Sequence, residues 1–311
     1  GAPADDIVLA PPATVPKTSS GKIRRVAARE FYERGPSSVK PQAVWLQFLR
    51  LALASAAPQL RRTWRTARGV LFSLRAYLAF GLLFPFALVA AALCGPRITW
   101  RIGSAVCRTF LRAAGIPLVV RGADALPAGP SVLAVNHTSY LDAVVLVAVL
   151  GPRVHAFVAK REFEANPLMR LLLRGFGTIF VERFDVQKSA EHADVLVEAV
   201  RAGACLVIFP EGTLTRSSGL MAFRAGAFQV AAQAGVPVVP VALRGARSVL
   251  RDGTWYARRS PVAVTIGAGI APDGDDWAAT VRLRDRVRAQ ILQYCGERDL
   301  APAARRSDAT S

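Results

Sequence analysis

Two residues with complementary chemistry stand out first. The run Val135-Asn136-His137-Thr138-Ser139-Tyr140-Leu141-Asp142 leaves a β-branched, apolar stretch and enters a helical pattern, with four residues between His137 and Asp142. A carboxylate in the first helical turn can reach back to one imidazole nitrogen, fix the tautomer and leave the other nitrogen free as a base. No serine nucleophile accompanies the pair, so its proton transfer would act on a substrate hydroxyl. Further on come Gly177-Thr-Ile-Phe-Val-Glu-Arg183, Phe209-Pro-Glu211-Gly212-Thr213 and Val236-Pro237-Val238-Val239-Pro240-Val241. Arg183 at a strand terminus can fork onto a phosphate or carboxylate. Glu211-Gly212-Thr213 reads as a tight turn whose N–H groups can face an anion.

The elements that must position these residues follow from hydrophobic patterning. Short β-branched runs occur at Pro117–Arg121, Ser131–Val135, His155–Ala159, Thr178–Val181, Cys205–Phe209, Val236–Leu243 and Val262–Ile266. They alternate with helical patterns at Asp142–Leu150, Pro167–Arg174, Gln187–Ala202, Ala225–Ala234 and Asp276–Cys295; Asn166 is the expected N-cap of the second, with Pro167 at its first position. This alternation predicts an α/β fold, a mostly parallel sheet flanked by helices. In such sheets ligands bind outside the carboxyl ends of strands, where the residues above fall.

Composition narrows the function further. The 311 residues are 52% hydrophobic and 20% charged, enough apolar content for a large core. Cys94, Cys107, Cys205 and Cys295 are far apart, with neither disulfide-scaffold nor metal spacing. The net charge is +18, and Arg34 to Ala123 holds thirteen Lys and Arg without one Asp or Glu. Such a stretch points to nucleic acid or an anionic membrane surface. Ala76–Cys94 is nineteen uncharged residues, Ala43–Leu60 is nearly as apolar, and five Arg lie between them. No nucleic-acid motif accompanies the charge, and arginines flank the apolar segment on both sides. The pattern predicts a pair of membrane-associated helices dipping into one leaflet. Four parts result: 1–41, rich in Pro and Ser; 42–95, the basic apolar helices; 96–297, the α/β domain; and 298–311, a polar tail expected to be disordered. The opening Gly-Ala-Pro-Ala-Asp-Asp is no secretory leader and suggests a piece of a longer polypeptide.

Together and in this order, the four strand-end motifs resemble the lysophosphatidic acid acyltransferase (PlsC-like, HX4D) family over about 115 to 295. The resemblance implies direct acyl transfer from acyl-CoA or acyl-carrier protein, as co-substrate, to a lysolipid hydroxyl, without further cofactor or metal. His137 would be the base and Asp142 its orienter. Asn136, Lys160, Arg183, Glu211, Gly212 and Thr213 would serve the acceptor, and Pro237 would lie near the acyl site. Family members acting on phosphate-bearing acceptors carry Arg directly after Glu-Gly-Thr. Here that position is Leu214, leaving Arg216 or Arg224 to supply the charge, or a lyso-aminolipid as acceptor. The family implies the cytoplasmic face of the cell membrane. A non-catalytic lipid-binding scaffold is the competing class; a hydrolase is disfavoured, since no Gly-x-Ser-x-Gly elbow is present.

Pro16-Lys-Thr-Ser-Ser-Gly-Lys22-Ile-Arg-Arg25 carries a second resemblance, to the last motif of adenylate-forming acyl-CoA synthetases and acyl-AMP ligases. In that family the Lys at the Lys22 position contacts the acyl carboxylate. The resemblance implies an upstream acyl-activating domain in the parent polypeptide.

Overall fold

The computed structural model describes residues 15, 17–18, 21–34, 44–151, 155–181, 186–214 and 218–301, with backbone alone for 31, 34, 44–57 and 186–192. It divides into two units, Gly1–Arg65 and Thr66–Ser311. In the first, Lys17 and Ile23 form an antiparallel bridge, the Gly21 N–H donates to Thr18 O (2.9 Å), and α1 follows at Arg25–Arg34.

The second unit is built on a seven-stranded sheet. Its strands are β1 (Leu118–Arg121), β2 (Ser131–Val135), β3 (His155–Lys160), β4 (Ile179–Val181), β5 (Cys205–Ile208), β6 (Val238–Arg244) and β7 (Val262–Ile266), in spatial order β1-β7-β6-β2-β5-β3-β4. The five strands β2 to β6 run parallel; β7 is antiparallel to β6, and β1 is parallel to β7. The sheet is therefore mostly parallel, as the alternation predicts. Helices α4 (Leu141–Leu150), α5 (Pro167–Gly175), α6 (Val186–Arg201), α7 (Gly226–Ala234), α8 (Ala246–Val249) and α9 (Trp277–Cys295) lie within a residue or two of their expected places, α8 excepted, which the patterning did not show. Asn166 caps α5, its side-chain oxygen accepting from the Leu168 and Met169 N–H groups.

Strand alternation sorts the core into two layers. Leu133 and Val135 face one cluster with α3 and α4, while Val132 and Ala134 face the other with α6, α7 and α9. A strand covered on both faces has no polar side, which is why β2 reads as an uninterrupted apolar run, wholly buried.

The expected pair of N-terminal helices takes a different form. One helix, α2, runs unbroken over Val44–Leu93, and its partner is α3 (Pro96–Ala114), which the patterning missed. The arginine-rich stretch between the two apolar segments does not break the helix, because Arg, Ala and Leu are strong helix formers and Gly69 alone costs only about 1 kcal/mol. The break falls at Gly95, extended at φ −73° and ψ 166°, with Pro96 opening α3. From Phe72 onward α2 is two-faced. Phe72, Ala76, Ala79, Ala87, Ala90 and Ala91 are buried, whereas Leu71, Leu74, Leu78, Leu82, Phe86, Val89 and Leu93 are exposed at spacings of three and four residues. Among the described residues, Pro58–Leu93 is the helical stretch long and apolar enough to cross a membrane, its most apolar 18 residues having a mean hydropathy of 2.2.

The start of the expected disordered tail is ordered. The Leu220 N–H donates to Arg298 O (2.7 Å), the Leu300 N–H to Leu220 O (3.0 Å), and Arg288 pairs with Asp299 at 2.5 Å. Residues 302–311 lie outside the described residues.

Candidate active site

The turn between β2 and α4 is built around Asp142. This fully buried carboxylate accepts the Thr138 N–H (2.6 Å) and Ser139 N–H (2.9 Å) on Oδ2 and the Thr138 hydroxyl (3.2 Å) on Oδ1. His137 Nδ1 lies 2.9 Å from the same Oδ2. Facing an acceptor, Nδ1 must carry the proton, which leaves Nε2 the unprotonated nitrogen of the neutral ring. The imidazole stacks on Phe209, ring centroids 4.2 Å apart, and its side chain is 23% exposed. The result is a base held rigidly on one side and open on the other.

Asn136 and Glu211 secure the ends of this turn. Asn136 is fully buried; its Nδ2 donates to Leu243 O (2.9 Å) and its Oδ1 accepts the Leu243 N–H (2.7 Å). The side-chain amide thus extends the β2–β6 ladder by one rung, and its complete burial holds it within the scaffold, where the sequence reading expected an acceptor-binding role. Glu211 is likewise spent on the scaffold. One oxygen accepts the His137 N–H (2.7 Å), the other the Met221 N–H (3.0 Å), and the residue is 4% exposed. A buried carboxylate is tolerated only with such donors.

Burial pushes the Glu211 carboxyl above its ordinary value of 4.5, opposed by those two N–H groups and, after them, by the neighbouring His137 and Arg247 side chains. A carboxyl raised in the folded state contributes stability that is full below its unfolded value and lost as pH rises through the folded one. The thermal midpoint of the wild type, minus that of Glu211→Gln, should therefore decrease as pH rises from 4.5. A flat or increasing difference in a calorimetric pH series would refute this.

The remaining expected site residues divide by position. Lys160, half-buried, ends β3 at the same rim as His137, two strands away at about 10 Å. Gly212, with φ +81°, turns the chain so that its N–H donates to Phe209 O (3.0 Å), and Thr213 beside it is exposed. Leu214 is half-buried and Arg224 is exposed. Pro237 precedes β6 and its carbonyl accepts the Val132 N–H (3.1 Å), which places it at the amino ends of the strands. Leu243, bonded to Asn136, is six residues further along, about 20 Å away. Pro237 is therefore on the opposite rim from His137. Arg183 and Arg216 lie outside the described residues.

Sequence reading missed four contributors. Phe209 is the floor beneath the imidazole, and the Thr138 and Ser139 N–H groups hold Asp142. Ser139 also donates its hydroxyl to Leu250 O (2.6 Å) and accepts the Leu141 N–H (3.1 Å). Arg247, buried and paired with Glu297 at 3.0 Å, supplies positive charge near Glu211. The run of short polar residues after His137 was the available signal for the second and third.

Comparison with known proteins finds similarity over the stretch that carries this geometry. Residues 117–244, which carry β1 to β6 and the whole His137 turn, match the family model described as Acyltransferase. The stretch that holds the site is thus similar to acyltransferase domains. Among individual relatives, the chloroplastic 1-acyl-sn-glycerol-3-phosphate acyltransferase BAT2 of Brassica napus is 32% identical over 137 residues, 43% of this chain and 39% of the relative. The 1-acyl-sn-glycerol-3-phosphate acyltransferase of Limnanthes douglasii is 31% identical over 167 residues, 52% and 57% of the two chains. A probable enzyme of the same description from Mycoplasma genitalium is 29% identical over 154 residues, 48% and 57%. The chain spans less than two thirds of the length of these relatives. Its fold is that of the crystal structure of the 1-acyl-sn-glycerophosphate acyltransferase PlsC from Thermotoga maritima, with TM-score 0.61 and 20% identity over 74% of this chain and 95% of that one.

Proposed function

We propose that this protein is an O-acyltransferase that moves an acyl group from a thioester, acyl-CoA or acyl-carrier protein, to the hydroxyl of a 1-acyl-sn-glycerol-3-phosphate-type lysolipid. The observation that carries the reading is the 2.9 Å contact of His137 Nδ1 with an Asp142 carboxylate already held by two backbone N–H groups. That arrangement leaves one imidazole nitrogen free to take a proton. The acceptor oxygen attacks the thioester carbonyl carbon as Nε2 takes the hydroxyl proton. The C–S bond then breaks, and the sulfur departs with the proton returned from the ring. One ester forms for each thioester lost, and no acyl-enzyme is required. The names of the relatives favour a phosphate-bearing acceptor.

Leu214 favours a second acceptor class, a lyso-aminolipid without phosphate, because it stands where phosphate-binding members of the resembled family carry Arg. Membrane attachment in this reading is to one leaflet, at the cytoplasmic face. From Phe72 onward the inward face of α2 is occupied by the core of the domain, and its outward leucines, Phe86 and Val89 are available to lipid. The Lys17–Ile23 bridge with its glycine turn is compatible with the remnant of an adenylate-forming domain, whose partner domain would supply activated acyl chains.

The test is acyl transfer by the protein in lipid vesicles, with acyl-CoA and acyl-carrier protein as donors and a panel of lysolipids as acceptors, products read by mass spectrometry. A product formed by the wild type and absent with His137→Ala supports the enzyme and identifies its acceptor. Equal product from both, above a protein-free control, would mean that His137 is not the base, and none from either with both donors would favour the non-catalytic scaffold.

A further inference from the structure

The loop 250–257, between α8 and β7, is fastened at both ends, and its two fastenings belong to different parts of the molecule. At one end, Leu250 O receives the Ser139 hydroxyl, 2.6 Å away, and the Ser139 N–H holds Asp142 Oδ2 at 2.9 Å. At the other end the loop lies along α2. The Tyr77 hydroxyl donates to Trp255 O (2.5 Å), the Ala257 N–H donates to Ser73 Oγ (3.0 Å), and the Tyr256 hydroxyl donates to Thr66 O (3.4 Å). Gly69 falls between them, and a Cβ there would sit 1.9 Å from the Tyr256 oxygen, so the phenol rests directly on the helix backbone. Thr66, Gly69, Ser73 and Tyr77 are spaced three, four and four residues apart and form one helical stripe. The loop is stiffened internally, with the Thr254 N–H and hydroxyl both on Arg251 O (3.1 and 2.9 Å) and the Arg258 N–H on Val249 O (2.8 Å). A short, internally bonded strap transmits displacement from one end to the other more readily than a slack loop does.

We propose that Ser73 and Tyr77 of α2 are positioning residues for acyl transfer, acting through the 250–257 strap on Ser139 and thereby on the His137–Asp142 pair. The proposal rests on the acyltransferase reading for its kinetic consequence, but not for its structural one. Neither residue belongs to the catalytic turn. The same helix turns its leucine stripe away from the domain, and Trp255 at the strap is 86% exposed beside it. The seating of α2 is thus linked through hydrogen bonds to the geometry of the base.

The experiment compares wild type, Tyr77→Phe, Ser73→Ala, Ser139→Ala, Ser139→Thr and the double variant Tyr77→Phe/Ser139→Ala, with Tyr294→Phe on α9 as a control. All are used as the full chain in vesicles. Two quantities are read: kcat and KM for acyl transfer, and amide exchange of segment 138–141 without substrate. Tyr77→Phe and Ser73→Ala are expected to lower kcat about five-fold with KM within about two-fold of wild type. The double variant is expected to be no slower than Ser139→Ala alone, since both act on one tether, and Ser139→Thr is expected to retain most of the wild-type rate. Exchange of 138–141 should rise about ten-fold in Tyr77→Phe and stay unchanged in Tyr294→Phe. Multiplying losses in the double variant, or unchanged exchange in Tyr77→Phe, would overturn the coupling. If the wild type transfers no acyl group at all, the functional reading falls, and the exchange measurement still decides the strap.

Discussion

Replacing His137 by alanine is expected to lower acyl transfer by about 10³-fold while leaving the fold intact. General base catalysis contributes about 10²–10⁴-fold, and no other titratable side chain among the described residues is placed to substitute. The free face of the imidazole is partly exposed, and its ring makes one side-chain hydrogen bond, to Asp142. Removing it costs the stacking on Phe209, about 1 kcal/mol, and the hydrogen bond to the Asp142 carboxylate, about 1.5–3 kcal/mol, while Asp142 keeps its two N–H donors and the Thr138 hydroxyl. The backbone N–H of His137, which Glu211 holds, is untouched by the substitution. A single-turnover assay beside a thermal melt checks both halves. A ten-fold loss or less would mean that His137 is not the base. Asp142→Asn should be read with more care, because that carboxylate also receives two backbone N–H groups and one hydroxyl, so its loss disturbs fold and chemistry together.

Asn136→Asp is expected to destabilise the α/β unit by at least about 3 kcal/mol, although the two side chains have the same shape. The amide nitrogen that now donates to Leu243 O would become an oxygen facing an oxygen, in a position with no exposure to water. Leaving a buried carbonyl unsatisfied costs about 1–3 kcal/mol, and burying an unpaired charge adds to it. The substitution would also pull β2 away from β6 at the residue before the base, so activity should fall with stability. Denaturant unfolding followed alongside activity is the measurement. A midpoint unchanged from wild type would show that Asn136 does not carry the ladder.

How much of this was legible in the sequence depends on the range of the interaction. The runs at β2 and β7 coincide with the strands residue for residue, because short stretches rich in Val, Leu and Ile fit the pleated surface of a buried or half-buried strand. The Asn166 cap with Pro167 is equally local. The expected separation of Ala43–Leu60 from Ala76–Cys94 is absent, and the break falls after them, because helix-breaking chemistry and not a change in apolar content ends a helix. Gly95-Pro96 was the decisive signal, and the arginines between the apolar segments were not. The hydrogen bonds that Asn136 and Glu211 make within the scaffold were not legible, because a motif gives residue types and spacing but not the direction of a side chain.

The sequence by itself determined the α/β class, most of the helices and strands, and the His137–Asp142 pair, whose partners are five residues apart and meet through one turn of backbone. Only the tertiary structure decided the rest. The direction of the two edge strands, Pro237 on the rim away from the base, Glu211 beneath the His137 backbone and the strap between α2 and Ser139 were not legible, and the last two join residues 74 to 190 positions apart. Such pairings depend on which strands lie side by side and in which direction they run. That choice is made by the burial of both sheet faces at once, and no local pattern contains it.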